Sequence, residues 1–392
     1  MFRKTRLFTP GPTPLVPAAQ FAMAAADIHH RTPEFRALFS RTLAKLQQFV
    51  GTSNEVIALT SSGTGAMEAA VVNFTSPGDK VLVLTAGKFG ERWSALTKTY
   101  GLDITTVTRP YGETFVLDEI KAALTPEIRA VFVQATETST GIRHDISAIA
   151  KLTRASNALL VVDGITGLGT THIDVDADGI DVLIGGSQKA LMIPAGLAYL
   201  AISERAWKRA AESRQPRFYF DLLKERKNQA KGETSYTPAT ALFAGLDAAL
   251  DYIGAQAGGD VRQGAELLVD NAERNAAATR AAVKALGLEL FAPASPSAAV
   301  TAVKAPEGLD SGAIIKGLKG RFGSIIANGQ GEMKGKLFRI AHIGYFDYLD
   351  TIALIGALEF VLAELAPGKF QLGDGLRAAQ QYYGQALPNE GK

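Results

Sequence analysis

Val182-Leu183-Ile184-Gly185-Gly186-Ser187-Gln188-Lys189-Ala190 is an apolar run of strand length that breaks into small residues and then a lysine. A run this short and this apolar reads as a strand buried on both faces, the kind found in parallel sheets covered by helices. A lysine emerging from the end of such a strand is partly desolvated. Its pKa falls, and the free amine becomes available as a nucleophile that can form an imine. The competing reading is a lysine that reaches solvent or serves as counter-ion to a phosphate, and for one lysine taken alone that reading wins.

Working outward, similar runs occur at Val56–Leu59, Val81–Leu84, Ala130–Val133, Leu159–Val162 and Leu197–Ile202. Between them lie stretches of helical period such as Ala66–Phe74, Glu91–Tyr100 and Ile146–Ala155. The alternation predicts an α/β fold with a mostly parallel sheet sandwiched by helices. From about Asp260 the texture changes to a long helical stretch (Gly264–Leu286), then Ala299–Val303, Ser311–Gly320, Phe338–His342 and a helix near Tyr348–Leu365. This predicts a smaller C-terminal α+β domain. The expected division is an extended N-terminal segment (1–20), a large domain (21–258) and a small domain (259–392), with polar Ala366–Lys392 as a loosely packed tail. Phe8-Thr9-Pro10-Gly11-Pro12-Thr13-Pro14 holds too much proline and glycine for helix or central strand. It should run as a stiff, extended cover over something else.

The 392 residues, 47% hydrophobic and 20% charged, suffice for a large core. Lys and Arg total 41 against 39 Asp and Glu, a net charge of +2. That balance gives no electrostatic footprint for nucleic acid or an anionic membrane, so a small-molecule partner is expected. There is no cysteine, which removes disulfides, thiolate metal sites and cysteine nucleophiles. No run of about 18 apolar residues and no signal-like apolar segment after the basic start is seen, so a soluble, cytoplasmic protein is expected.

In open α/β sheets ligands gather at the carboxyl ends of the strands. After Val56–Leu59 come Thr60-Ser61-Ser62-Gly63-Thr64-Gly65, small residues whose N–H groups and hydroxyls could converge on a phosphate at a helix start. An ordinary helix cap explains them equally well. They are not a dinucleotide fingerprint, because Glu68 stands where the third glycine would be. After Leu159–Val162 comes Asp163, a carboxylate whose burial calls for a cationic partner such as a protonated pyridinium nitrogen; the alternative is a cap on the Gly164–Gly169 turn. The Ser62-Gly63-Thr64 turn, Asp163 and Lys189 are expected at three successive strand-end positions, where phosphate, ring nitrogen and aldehyde carbon of one ligand would lie. The conjunction outweighs each alternative taken singly.

Together with Glu137-Thr138-Ser139-Thr140-Gly141 and Ser187-Gln188-Lys189-Ala190, these residues make the chain resemble the class V, fold-type I aminotransferases that use pyridoxal 5'-phosphate (PLP), in particular the alanine–glyoxylate and serine–pyruvate group. The resemblance runs from Thr9-Pro10-Gly11-Pro12 to Phe338-Arg339-Ile340. It implies that Lys189 is the Schiff-base lysine and Asp163 the partner of the pyridinium nitrogen. It implies that Thr138 bonds the phenolic oxygen and that Gln188, Ser62, Gly63 and Thr64 hold the phosphate. Phe89 stands where relatives often stack a tryptophan on the ring, and it keeps the aromatic face with less area. Ile165 is placed at the cofactor, and Gly11 and Arg339 at the substrate. Arginine suits that task because its planar fork meets a carboxylate with two parallel hydrogen bonds.

The resemblance also carries Tyr236 and Thr237, in Thr234-Ser235-Tyr236-Thr237-Pro238, to the phosphate of a neighbouring subunit, which implies a homodimer with shared sites. The expected reaction moves an amino group from a small amino acid, alanine or serine, to glyoxylate or pyruvate. Aspartate is the alternative donor, with Arg31, Arg36 or a partner residue taking its second carboxylate. A non-enzymatic accessory subunit that keeps the PLP fold is the reading from another class. Cysteine desulfurases resemble a different pattern, a histidine on the ring and a cysteine nucleophile, where this chain has Phe89 and no cysteine. His29-His30 is expected at the site entrance or a dimer contact, not on a metal, because adjacent side chains diverge. Gly329–Lys336 is not a phosphate loop, since its spacing is wrong and Leu337 stands where Ser or Thr would.

Overall fold

The computed structural model describes residues 3–386. Seven strands form the main sheet: β1 (Glu55–Ser61), β2 (Lys80–Thr85), β3 (Asp103–Thr108), β4 (Ile128–Gln134), β5 (Leu159–Asp163), β6 (Val182–Gly186) and β7 (Gly196–Ile202). Their spatial order is β1-β7-β6-β5-β4-β2-β3. All lateral pairs are parallel except the two made by β7, which runs antiparallel to β1 and β6.

Successive side chains of a strand point to opposite faces, so one continuous apolar run supplies two cores. Val131, Val133, Leu160 and Val162 join Phe35, Phe39 and Phe243 on one face. Ala130, Phe132, Leu159 and Val161 join Met67, Trp93 and Trp207 on the other. Helices Pro33–Val50 and Thr240–Ala255 cover the first face, and Gly63–Phe74 and Glu204–Glu212 the second. This double burial is why the strands lack a polar face in the sequence. The exception is β3, whose half-exposed Asp-Ile-Thr-Thr-Val-Thr sits at the sheet edge and carries no apolar run.

Two expectations require correction. The phosphate-type turn, Asp163 and Lys189 do not occupy successive positions, because β7 returns antiparallel and inserts between β1 and β6. Lys189 leaves the strand beside that of Asp163, while Ser62 follows β1, beyond β7. Strand order follows from the crossovers, which the order of apolar runs does not encode. The polar C-terminal stretch is not a loose tail up to residue 386: Asp374–Ala386 is a helix. Ala379 and Tyr383 are buried there against Ala278, Ala282 and Ile355, and the Tyr383 hydroxyl donates to Asn275 Oδ1 at 2.5 Å. Leu376, Ala379 and Tyr383 recur at helical spacing, a stripe that the polar composition conceals. Residues 387–392 lie outside the described residues.

The C-terminal part builds its own three-stranded antiparallel sheet from β8 (Val300–Lys304), β9 (Ala327–Asn328) and β10 (Leu337–Ala341), in the order β8-β10-β9. Its core holds Ile314, Leu318, Phe338, Ile340 and Leu358. The start of the chain is stitched to it, since Arg6–Leu7 pairs in parallel with Ser324–Ile325. From buried Phe8 the proline-rich segment crosses to the main sheet, where the Thr13 hydroxyl donates to the Lys189 carbonyl at 2.9 Å. The expected stiff cover therefore lies over the lysine.

Gly185 in β6 faces the ring of buried Tyr199 on β7, and a Cβ there would come within 2.0 Å of the ring. Tyr199 is hemmed in by the core and has no room to yield. Gly185→Ala should therefore lower unfolding stability by about 1–3 kcal/mol through overpacking, read from urea denaturation at constant m-value.

Candidate active site

All parallel strands of the sheet end on the same edge, and a cavity of about 310 Å³ opens there. Ten of the residues singled out in the sequence line it. Gly11 comes from the proline-rich cover, Ser62, Gly63 and Thr64 from the turn after β1, and Phe89 from the helix Lys88–Thr99. Thr138, Asp163, Ile165, Gln188 and Lys189 complete the set. Arg339, Tyr236 and Thr237 lie outside this lining.

Lys189 is buried, and its Nζ donates to the Pro10 carbonyl. Burial is the main force on the amine and lowers its pKa to about 8; Asp163 opposes this, while Arg339 and Arg92 add to it. Asp163 responds in the opposite sense. Burial raises its carboxyl to about 6 against the pull of the Ile165 N–H, Lys189 and Arg92. Its Oδ1 accepts the Ile165 N–H at 2.9 Å, so it does tie the turn that follows, and its other oxygen has no hydrogen bond among the described residues. An amine and a carboxylate, each shifted towards neutrality, thus line one cavity. Perturbed groups of this kind, gathered in one cavity, make it a candidate functional site.

Gly11 sits at φ +137°, and a Cβ there would come within 2.6 Å of Lys189 Nζ. Only glycine lets the cover pass so close to the amine. Ser62 caps the helix Gly63–Phe74, accepting the Gly65 N–H at a long 3.4 Å. Capping and lining the cavity are therefore compatible tasks. Thr138 Oγ donates to Thr166 Oγ at 3.1 Å, a partner the sequence reading passes over.

Arg92 is the other residue missed. Its guanidinium lies 4.9 Å from the centre of the Phe89 ring and donates to Thr64 Oγ at 3.1 Å. The signal was available, since Arg92 stands three residues after Phe89 and one helical turn brings the two side chains together. Among the described residues, the Gln188 side-chain oxygen and the Thr136 hydroxyl are buried without hydrogen-bond partners, and both residues line the cavity. The Thr136 hydroxyl, the hydroxyl-rich helix start and the arginine supply donors that fit a phosphate ester, whereas the Gln188 oxygen can only accept. The apolar Ile165 and the Phe89 ring fit the faces of an aromatic ring.

Arg339 is buried in β10, and its guanidinium is held by carbonyls: Nε and one terminal nitrogen donate to Asn328 at 2.9 and 2.7 Å, the other to Thr138 at 2.9 Å. Burial lowers its pKa to about 10, with Glu137 opposing. A guanidinium has about five N–H donors, so roughly two remain for a ligand carboxylate. Tyr236 stacks on Tyr219 at 5.0 Å and donates to the Phe218 carbonyl at 2.9 Å, and Thr237 is exposed. The His29 and His30 rings lie 4.7 Å apart, closer than the expected divergence. Among the described residues no group of three or more side chains is placed to hold a metal.

The sequence profile of the family described as Aminotransferase class-V matches residues 18–297. The chain belongs to the class V aminotransferases. It is 40% identical to the soluble hydrogenase small subunit of a Synechococcus species, over 96% of this chain and 98% of that one. It is 35% identical to the L-aspartate–glyoxylate aminotransferase of Paracoccus denitrificans, over 98% of both chains. The solved alanine–glyoxylate aminotransferase of a Nostoc species superposes with a TM-score of 0.85 at 30% identity, covering 92% of this chain and 96% of that one. The aminotransferase therefore transfers amino groups between amino acids and 2-oxo acids with PLP as cofactor, on the fold-type I architecture.

Because the lysine must lose its proton before it attacks an aldehyde, capture of PLP by the apoenzyme should be slow in acid. The rate should rise through about pH 8 and level off above it. Stopped-flow absorbance of added PLP checks this, and a midpoint near that of free lysine would contradict the burial argument.

Proposed function

We propose that this aminotransferase moves the amino group of a small neutral amino acid, alanine or serine, to glyoxylate or pyruvate, and does so as a cytoplasmic homodimer with two shared sites. Bound PLP would supply an electron sink for the bond to the amino acid's α-carbon. Lys189 would hold the cofactor aldehyde and, once displaced, carry the α-proton. Asp163 would keep the ring nitrogen protonated, its free oxygen meeting the N–H. Ser62, Gly63, Thr64 and Gln188 would hold the phosphate, Phe89 and Ile165 would sandwich the ring, and Thr138 would meet the phenolic oxygen. Gly11 would leave room for substrate beside the amine.

The observation that carries the substrate class is the state of the arginines. Arg339 keeps roughly two donors free for one carboxylate. Arg31 and Arg36, the expected readers of a second carboxylate, are both engaged by Glu233, the former at 3.3 Å. A donor without a second negative charge suits this distribution. Arg339→Lys should raise the KM for the amino donor and cut kcat/KM by about 10- to 100-fold, because the point charge of lysine cannot reproduce the fork.

The dimer reading is supported by an exposed aromatic patch. Phe218 and Tyr219 are 77% and 46% exposed beside Tyr236, which is not among the residues lining its own chain's cavity. Such a patch is costly in a monomer and suits a subunit contact that delivers Tyr236 and Thr237 to the neighbouring phosphate. Light scattering should give twice the chain mass. The division into 1–20, 21–258 and 259–392 belongs to the same reading, the new unit opening with the helix Val261–Ala285.

The relative named as a hydrogenase subunit keeps a second reading in view, an accessory protein with the same fold. The cavity argues against it, since a scaffold needs neither a buried amine nor a buried carboxylate beside it. Lys189→Ala should abolish turnover and the visible absorption of bound PLP. Half-reaction spectra with alanine, serine and aspartate then decide the donor. A purified wild-type protein that stays colourless with excess PLP would overturn the enzymatic reading.

A further inference from the structure

The helix that carries Phe89 and Arg92 begins without a capping side chain of its own, because its N-cap residue is Gly87. Its first N–H groups have no intrahelical acceptors and must be satisfied from elsewhere. Glu137, from the strand end that leads into Thr138, supplies what is missing. Its Oε2 accepts the N–H groups of Phe89 and Gly90 at 3.0 and 3.1 Å. Its Oε1 accepts the N–H and hydroxyl of Ser139 at 3.2 and 2.5 Å, and the Ser139 hydroxyl in turn accepts the Lys88 N–H at 3.2 Å. Glu137 is fully buried and makes no ion pair among the described residues. The glycine at 87 is part of the same arrangement, since a Cβ there would lie 2.4 Å from the Glu137 carboxyl carbon.

We propose that Glu137 is a positioning residue of the cofactor site, a carboxylate borrowed from a neighbouring segment that sets the Phe89 ring and the Arg92 guanidinium against the cofactor. One turn of helix links the anchored N–H groups to Arg92, which touches Thr64 at the phosphate end. The next residue in the chain, Thr138, lines the cavity and offers its carbonyl to Arg339 at 2.9 Å. One buried side chain thus ties the aromatic wall, the phosphate end and the substrate arginine to a single reference point. Burying a carboxylate without a cation is costly, and four donors aimed at its two oxygens offset that cost. The inference rests on the reading that this cavity holds PLP.

The test uses purified apoenzyme and PLP itself. Glu137→Ala should weaken PLP binding by about tenfold or more in an absorbance titration, the scale expected for losing charge-assisted bonds that order the site. It should also change the circular dichroism of the bound cofactor, which reports ring orientation. Glu137→Gln retains one oxygen for Phe89 and Gly90 and should fall between wild type and alanine. Gly87→Ala, which displaces the carboxylate without removing it, should move both readouts in the direction of Glu137→Ala. A purely structural role would lower thermal stability while leaving affinity and dichroism of the folded protein unchanged, and that result overturns the proposal. Should the alanine variant not fold, Glu137→Gln carries the test, and PLP affinity and dichroism equal to wild type in that variant overturn the proposal. A wild type that fails to take up PLP defeats the functional reading; a wild type that binds it beside unaffected variants defeats only this inference.

Discussion

The site depends on a buried amine and a buried carboxylate that line the same cavity. Lys189 and Asp163 leave adjacent parallel strands at the same edge, and burial presses each towards its neutral form while each favours the charge of the other. Neither shift would arise at the surface. The cavity needs a roof, and the crossing segment around Pro10 and Gly11 provides it by giving the amine a carbonyl and nothing bulkier.

That roof ties two parts of the chain together. Arg6 and Leu7 pair with Ser324 and Ile325, Phe8 enters the C-terminal core, and a few residues later Thr13 bonds to the backbone at Gln188 and Lys189. Arg339 reaches towards the same place from the C-terminal sheet and rests on the Thr138 carbonyl. Arg339 and Lys189 are therefore positioned by different sheets, linked through a proline-rich strap and a buried turn. Rigid supports of this kind let a binding site keep its geometry to within fractions of an ångström.

The charges around the cavity also limit one another. Arg92 and Arg339 both depress the lysine pKa, adding to burial, so these cations make the amine easier to deprotonate. Glu137 acts on Arg339 in the opposite sense while anchoring the helix that bears Arg92. Arg92, Lys189, Arg339 and Glu137 are thus coupled electrostatically, and a change at one should be felt at the others.

The alternation of apolar runs and helical stretches was enough to read an α/β sheet, because strands buried on both faces cannot hide their composition. Lys189, Asp163 and the Ser62 turn were legible for a related reason: polar residues at the ends of such strands sit where ligands bind. Strand β3 was illegible because an edge strand needs no apolar run, and the helix Asp374–Ala386 because two buried residues and partly buried Leu376 suffice to dock it. Strand order, the insertion of β7 between the Ser62 turn and the lysine, the approach of Arg92 to Thr64, and the use of Glu137 as a remote cap were decided only by the tertiary structure. Local sequence determines which segments must be buried and which residues end them; which segments become neighbours is set by long-range packing, and no periodicity along the chain records it.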